Sequence, residues 1–272
     1  MAEPLAADQP ILTQVVVGSR LHGLENEASD WDYRGIFINP LRNIVSPFQK
    51  TVNTQWFEGD QDNTAYELGE FCKFAVNGNA TILEVFFSDQ VIVDSAAAEE
   101  MRANWQKFMD TDGFVKASLG YATNNKNKFE ERSPVGVKGQ FRRHKFAIAY
   151  CRVLWQCREF LTTGEFKCRI DEGEFKEKLL RWKNDWDDSF TMEAIATYYQ
   201  LEAEVLDAWE TTEFKFKPDL AWIEDFIYRT YLTYGIEATT PTATADYSLS
   251  ELIDMGADDD VIAAAYLRKK HK

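Results

Sequence analysis

Two short groups in the first 35 residues have the types and spacing to do chemistry. Gly18-Ser19 ends a run of β-branched residues, and Asp30-Trp31-Asp32 follows twelve positions later. A glycine at a strand end lets backbone N–H groups come close to an anion, and a turn opening at Ser19 presents its free N–H groups to a phosphate. On a strand, residues two apart point the same way, so Asp30 and Asp32 are expected on one face with Trp31 on the other. Two close carboxylates repel unless cations lie between them. Magnesium suits oxygen donors and shares its shell with substrate phosphates. Two such ions about 4 Å apart stabilise the attacking and leaving oxygens of an in-line phosphoryl displacement. Either motif alone is ordinary, a turn or a solvated strand face; the order and spacing after a buried-looking strand carry the inference.

The elements that must position these groups are legible from periodicity. Residues 11–17 read as a short buried strand, and 31–38 as a second, ended by Asn39-Pro40. Residues 51–66 hold one or two more strands around Gly59-Asp60, and 91–93 a last small one. Residues 67–87 read as two short helices broken at Asn77-Gly78-Asn79. Beyond Ser95 the pattern is helical over 96–109, 114–129, 138–162, 171–184, 191–209, 218–234 and 248–268, with a linker at 237–246. The predicted architecture is α+β: a small mixed-sheet domain over 1–95, a helical domain over 96–236, then a linker and C-terminal helix over 237–272. The terminal helix reads as a packing helix, with docking or dimerisation as its other use.

Composition excludes several classes. The chain has 272 residues, 45% hydrophobic and 14% aromatic, as a folded protein requires. Its net charge of −15 opposes non-specific coating of long nucleic acid, because phosphate neutralisation needs lysine and arginine. No apolar run approaches 18 residues, so no membrane span is expected, and the acidic start does not read as a signal peptide; the expected location is cytoplasmic. The four cysteines lack CxxC spacing and read as reduced thiols. Three scattered histidines do not make a zinc site.

The combination Gly18-Ser19 and Asp30-Trp31-Asp32 resembles the signature of the DNA polymerase β-type nucleotidyltransferase superfamily. GSRLHG at 18–23 and SDWDYRG at 29–35 resemble more closely the RNA-repair-associated (RlaP-type) branch, and residues 62–87 continue the likeness, which runs to about Tyr234. The resemblance implies a nucleotidyltransferase domain followed by a helical domain. It also implies transfer of NMP from an NTP to an acceptor hydroxyl with release of pyrophosphate. Asp30 and Asp32 would hold two Mg²⁺ ions, with Mn²⁺ as a substitute, and Gly18 and Ser19 would bind the β/γ phosphates. Family members usually present a third acid as metal ligand or base; Asp62 is the first choice and Glu67 the second. Glu67 also suits the first turn of a helix.

The triphosphate needs cations. Residues 126–169 hold eleven Lys/Arg against four Asp/Glu, a basic island in an acidic chain. On a helix Lys138, Arg142, Lys145 and Arg152 fall near one face, while Phe141, Ile148 and Trp155 fall on another and are expected in the core. The family has a basic helix here, with a histidine often standing where this chain has Tyr150. Arg20 and His22, just past the turn, are within reach of phosphate, though His22 also reads as a loop or core histidine. Arg34 reads either as a brace for the carboxylates or as a solvent-facing residue. Trp182, Trp186, Tyr198, Tyr199 and Trp209 read as core, with base stacking as the other use. The acceptor implied by the branch is an RNA end such as a damaged tRNA, held locally by the island. The acidic surface favours instead a small molecule or protein hydroxyl, and a non-catalytic nucleotide-binding module is the third reading.

Overall fold

The structure, a computed structural model, describes residues 10–48, 51, 53–56, 63–131 and 137–236. Among these, five strands form one mixed sheet in the order β3-β4-β2-β1-β5. Strands β1 (Ile11–Val17) and β2 (Asp32–Phe37) are antiparallel neighbours at its centre. Strand β4 (Thr64–Glu67) lies parallel to β2, β3 (Thr54–Trp56) antiparallel to β4, and β5 (Val91–Val93) antiparallel to β1. Residues 12–17 of β1 are all buried, without alternation, because both faces of this central strand are covered.

A single turn, α1 (Gly18–Leu21), leaves β1, and α2 (Leu41–Val45) follows β2. Helix α3 (Leu68–Val76) starts directly from β4, capped by the Glu67 carboxylate, which accepts from Gly69 N at 2.8 Å. The expected break stands at Asn77-Gly78-Asn79. Gly78 has φ +72°, and the Asn79 side chain caps α4 (Ala80–Phe87). The expected helix 96–109 stops early: α5 (Ala96–Ala103) ends at Asn104, and Trp105–Phe108 form a tighter 3₁₀ turn.

The long helices are α6 (Thr111–Glu131), α7 (Val137–Thr163), α8 (Glu174–Asp185) and α9 (Thr191–Thr211). Helix α10 (Leu220–Thr230) and the π-helical turn Tyr231–Gly235 complete the described chain. The linker and helix expected over 237–268 lie outside the described residues.

One hydrophobic cluster runs from Leu12 on β1 through Phe71, Phe108, Phe114 and Trp182 to Tyr231, crossing position 95, where two domains were expected to meet. Helix α7 is its axis. Residues 150–157 are all buried, so this middle stretch is covered on every side rather than striped, and exposure returns only toward Thr162 and Thr163. Trp155 is in the core as expected, Ile148 is packed against it at the margin, and the Phe141 side chain lies outside what is described. Trp182 and Tyr198 are core, Trp186 and Trp209 pack at its edge, and Tyr199 is exposed. The four cysteines are free and buried, and burial pushes their thiols well above the ordinary range. Among the described residues no helix is long and apolar enough to cross a membrane.

Candidate active site

The register of β1 against β2 pairs Val17 with Asp32, so the strand end that opens into Gly18 lies beside the first residue of β2. Gly18 has φ +70°, and a Cβ built there would stand 2.1 Å from Asp32 Oδ2. The Asp32 carboxylate therefore lies over the glycine Cα, and only glycine permits that approach. Turn and acid, read as separate motifs, meet in one place.

Asp30 differs from its expected position. Strand β2 begins at Asp32, and Asp30 is an exposed loop residue whose direction is not set by strand alternation. The loop itself is tightly tied. Arg20 donates from Nη2 to Ser29 O at 2.7 Å and from Nε to Asp30 O at 3.2 Å, with its guanidinium 4.0 Å from the Trp31 ring centre. Trp31 stacks in turn near Tyr33, so it keeps to the side opposite Asp32. Arg20, expected on phosphate, spends Nε and Nη2 on the acid loop.

The other holder of this loop was not singled out in the sequence. Lys183, near the end of α8, donates to Leu24 O at 2.7 Å and Ser29 Oγ at 2.8 Å. Its neighbour Asn184 accepts from Asn26 Nδ2 at 2.9 Å. Burial lowers the Lys183 ammonium below the ordinary lysine range; Glu25 and Asp32 act against this, Lys145 and Arg20 with it. Lys183, Lys145, Arg20 and Asp32 therefore lie within electrostatic reach of one another. Lys145 is exposed on α7. Lys183 sits in a helix of mixed charge, and nothing in its local pattern marks it.

Arg152 is elsewhere. It is buried, donating from Nη1 to Glu84 Oε1 at 2.6 Å and to Gln156 Oε1 at 2.8 Å. Glu84, on α4, is 2% exposed and gathers three basic groups. Besides Arg152, His22 Nε2 lies 3.5 Å from Oε1 and Arg34 Nη1 3.6 Å from Oε2. Burial raises the Glu84 carboxyl, but Arg152, His22 and Arg34 outweigh it and hold the group below its ordinary range. Burial, reinforced by Arg152, lowers His22 to about 4, so the imidazole is neutral; its Nδ1 lies 3.1 Å from Cys168 O. Arg34, read either as a brace for Asp30 and Asp32 or as solvent-facing, is largely buried and directs its guanidinium to Glu84 and Thr81 O instead. The side chains of Lys138 and Arg142 lie outside what is described.

Glu67, the second choice for a third acid, is spoken for. It caps α3, accepts from the Tyr231 hydroxyl, and pairs with Phe37 at the far end of β2 from Asp32. Five residues of strand, about 16 Å, separate the two levels. Asp62, the first choice, lies outside the described residues. Asn63 beside it accepts from Tyr33 N at 3.0 Å. Among the described residues no three His, Cys, Asp or Glu side chains form a metal-binding group. Asp32 stands over the turn and Asp30 on the exposed loop two residues before it; both are oxygen donors of the kind of which Mg²⁺ takes one or two.

Comparison with known proteins identifies the family. The chain is similar to an uncharacterized 38.9 kDa protein of the nrdC-mobD intergenic region of enterobacteria phage T4, 27% identical over 134 residues; the match covers 45% of this chain and 38% of that protein. The sequence model of the RNA repair pathway DNA polymerase beta family, RlaP, matches residues 4–179, which include the Gly-Ser turn, both aspartates and the Glu84 cluster. The chain belongs to that family.

Proposed function

We propose that the protein is a Mg²⁺-dependent nucleotidyltransferase that moves an NMP from an NTP to an acceptor hydroxyl, with an RNA end as the acceptor. One observation supports the reading: the Asp32 carboxylate rests on the Cα of Gly18, so the turn proposed for phosphate and the acid proposed for metal are neighbours. Asp30 and Asp32 would hold the metal, and a Mg²⁺ ion there would supply charge neutralisation for the triphosphate and polarise the α-phosphate.

The chain's own residues do the rest. The first-turn N–H groups after Gly18, which have no acceptor within α1, bind the β/γ phosphates with the Ser19 hydroxyl. Lys145 lines the approach, and Lys183 and Arg20 fix the loop bearing Asp30. The acceptor oxygen bonds to the α-phosphorus as the bond to the pyrophosphate oxygen breaks. The acceptor proton passes to a third carboxylate, for which Asp62 is proposed on its sequence position. Positioning and charge neutralisation supply most of the rate.

The net charge of −15 favours a second reading, in which the acceptor is a protein or small-molecule hydroxyl. The test is to incubate the full chain with each labelled NTP and Mg²⁺, with and without an RNA pool, beside Asp30→Asn. Label on RNA, lost in the variant and weakened by salt, supports the first reading. Label on protein or small molecule supports the second. NTP binding without transfer in any condition overturns both in favour of a non-catalytic module.

A further inference from the structure

Arg34 raises a problem that the site as described leaves unsolved. It is the next residue after Asp32 on the same side of β2, about 6–7 Å along the strand. A guanidinium at that spacing is long enough to fold back onto the Asp32 carboxylate and form a bidentate pair. Such a pair would occupy the oxygens that a divalent cation needs. The carboxylate that Arg34 Nη1 approaches in the structure is Glu84, at 3.6 Å, and the same nitrogen donates to Thr81 O on the same helix. Glu84 and Thr81 thus draw the guanidinium toward α4. Arg34 Nε is buried with no hydrogen-bond partner among the described residues, so its tether is incomplete and Glu84 is the charge that holds it.

We propose that Glu84 is a positioning residue for the acid pair, holding Arg34 against α4 so that it does not compete with a divalent cation for Asp32. The inference rests on the metal-binding role assigned to Asp32. Arg152 and Gln156 complete the arrangement. Arg152 fastens Glu84 Oε1 at 2.6 Å and is itself tied to Gln156, so the carboxylate that restrains Arg34 is anchored on α7. His22 lies against the same oxygen, 3.5 Å away, from the foot of the phosphate turn. With the imidazole neutral, one carboxylate faces two buried guanidiniums, and the surplus positive charge belongs to Arg34, the more loosely held.

Removing Glu84 alone strands two buried cations, so the informative variant removes the pair: Glu84→Met/Arg152→Met. It leaves the net charge of the cluster unchanged, and replacing a buried ion pair by apolar residues is often neutral for folding. Mn²⁺ is the probe, its free concentration read by electron paramagnetic resonance without nucleotide, with folding checked by thermal melting. The expected result is Mn²⁺ affinity about 10–100-fold weaker than in the unaltered protein, the usual cost of disturbing a residue behind a metal ligand. Adding Arg34→Met to the double variant restores affinity to within a few-fold. Arg34→Met in the otherwise unaltered protein changes it far less, because there Arg34 is already held away; the non-additivity isolates the coupling. The same three-way comparison in a Glu84→Gln/Arg152→Gln background, which keeps the charge balance and polar side chains, carries the test should the Met pair fail to fold.

Unchanged Mn²⁺ affinity in the folded double variant overturns the proposal. So does a triple variant as weak as the double, which assigns Glu84 a packing role only. If the unaltered protein holds no Mn²⁺ that Asp32→Asn removes, the metal site falls too, which distinguishes failure of the functional reading from failure of this inference.

Discussion

Asp30 and Glu84 are acids of one site region with opposite fates. Asp30 is exposed, on a loop held by Arg20 and Lys183 through backbone carbonyls and Ser29, while its own carboxylate faces water. Glu84 is sealed and ringed by Arg152, Arg34 and His22. The basic residues divide the same way: Lys145 is exposed and Arg152 buried, on one helix, in one island. The comparison shows that charge type does not assign role. A charge open to water is cheap to hold and available to a ligand. A charge removed from water needs a partner of its own and is consumed by the fold.

The largest effects test the buried side. Arg152→Met leaves Glu84 without its closest partner and should lower stability by about 3–5 kcal/mol, read as a shift in urea midpoint. Lys145→Met, on the same helix, should change stability by no more than about 0.5 kcal/mol. Equal shifts would erase the distinction. On the open side, Asp32→Asn should reduce NMP transfer about 10²–10³-fold with little change in melting temperature. A fall in stability to match would mean that Asp32, like Glu84, serves the fold.

The third test is pH. His22 is held at about 4, below its ordinary 6.5. Its neutral form is the one that folds, so its contribution is complete above about pH 6.5 and is lost as pH falls toward 4. The loss amounts to about 3 kcal/mol by linkage. Urea midpoints measured across that window should show the loss, and His22→Asn should flatten that part of the profile. An unchanged slope would place His22 in a wetter setting than the structure does. The smallest effect is Gly18→Ala. Forcing φ +70° on a residue with a Cβ costs about 1–2 kcal/mol, and the methyl displaces the Asp32 carboxylate, so transfer should fall more than stability does.

Much of the fold was legible because it rests on local signals. The strand Ile11–Val17, the small strand Val91–Val93 and the break at Asn77-Gly78-Asn79 stand where apolar runs, glycine and capping residues put them. The overshoot of the helix from Ala96 past Asn104 is a boundary error of the kind local patterns allow. The site was legible in part. Gly18 and Asp32 were marked by motif; Lys183 was not, since its partners Leu24 and Ser29 are more than 150 residues away in the chain. Arg152 was placed on a polar stripe because helical periodicity assumes one buried face, whereas α7 is enclosed on all sides over residues 150–157.

What the sequence by itself determined is the order of elements and the chemistry carried at their ends: a glycine where the backbone must turn left-handed, acids after a loop of set length, apolar runs at helical or strand spacing. These follow from the torsions and side chains of neighbouring residues. Which charges remain open to a ligand and which are spent on one another was decided only by the tertiary structure. Desolvation depends on everything packed around a group, and that surrounding is assembled from segments far apart in the chain.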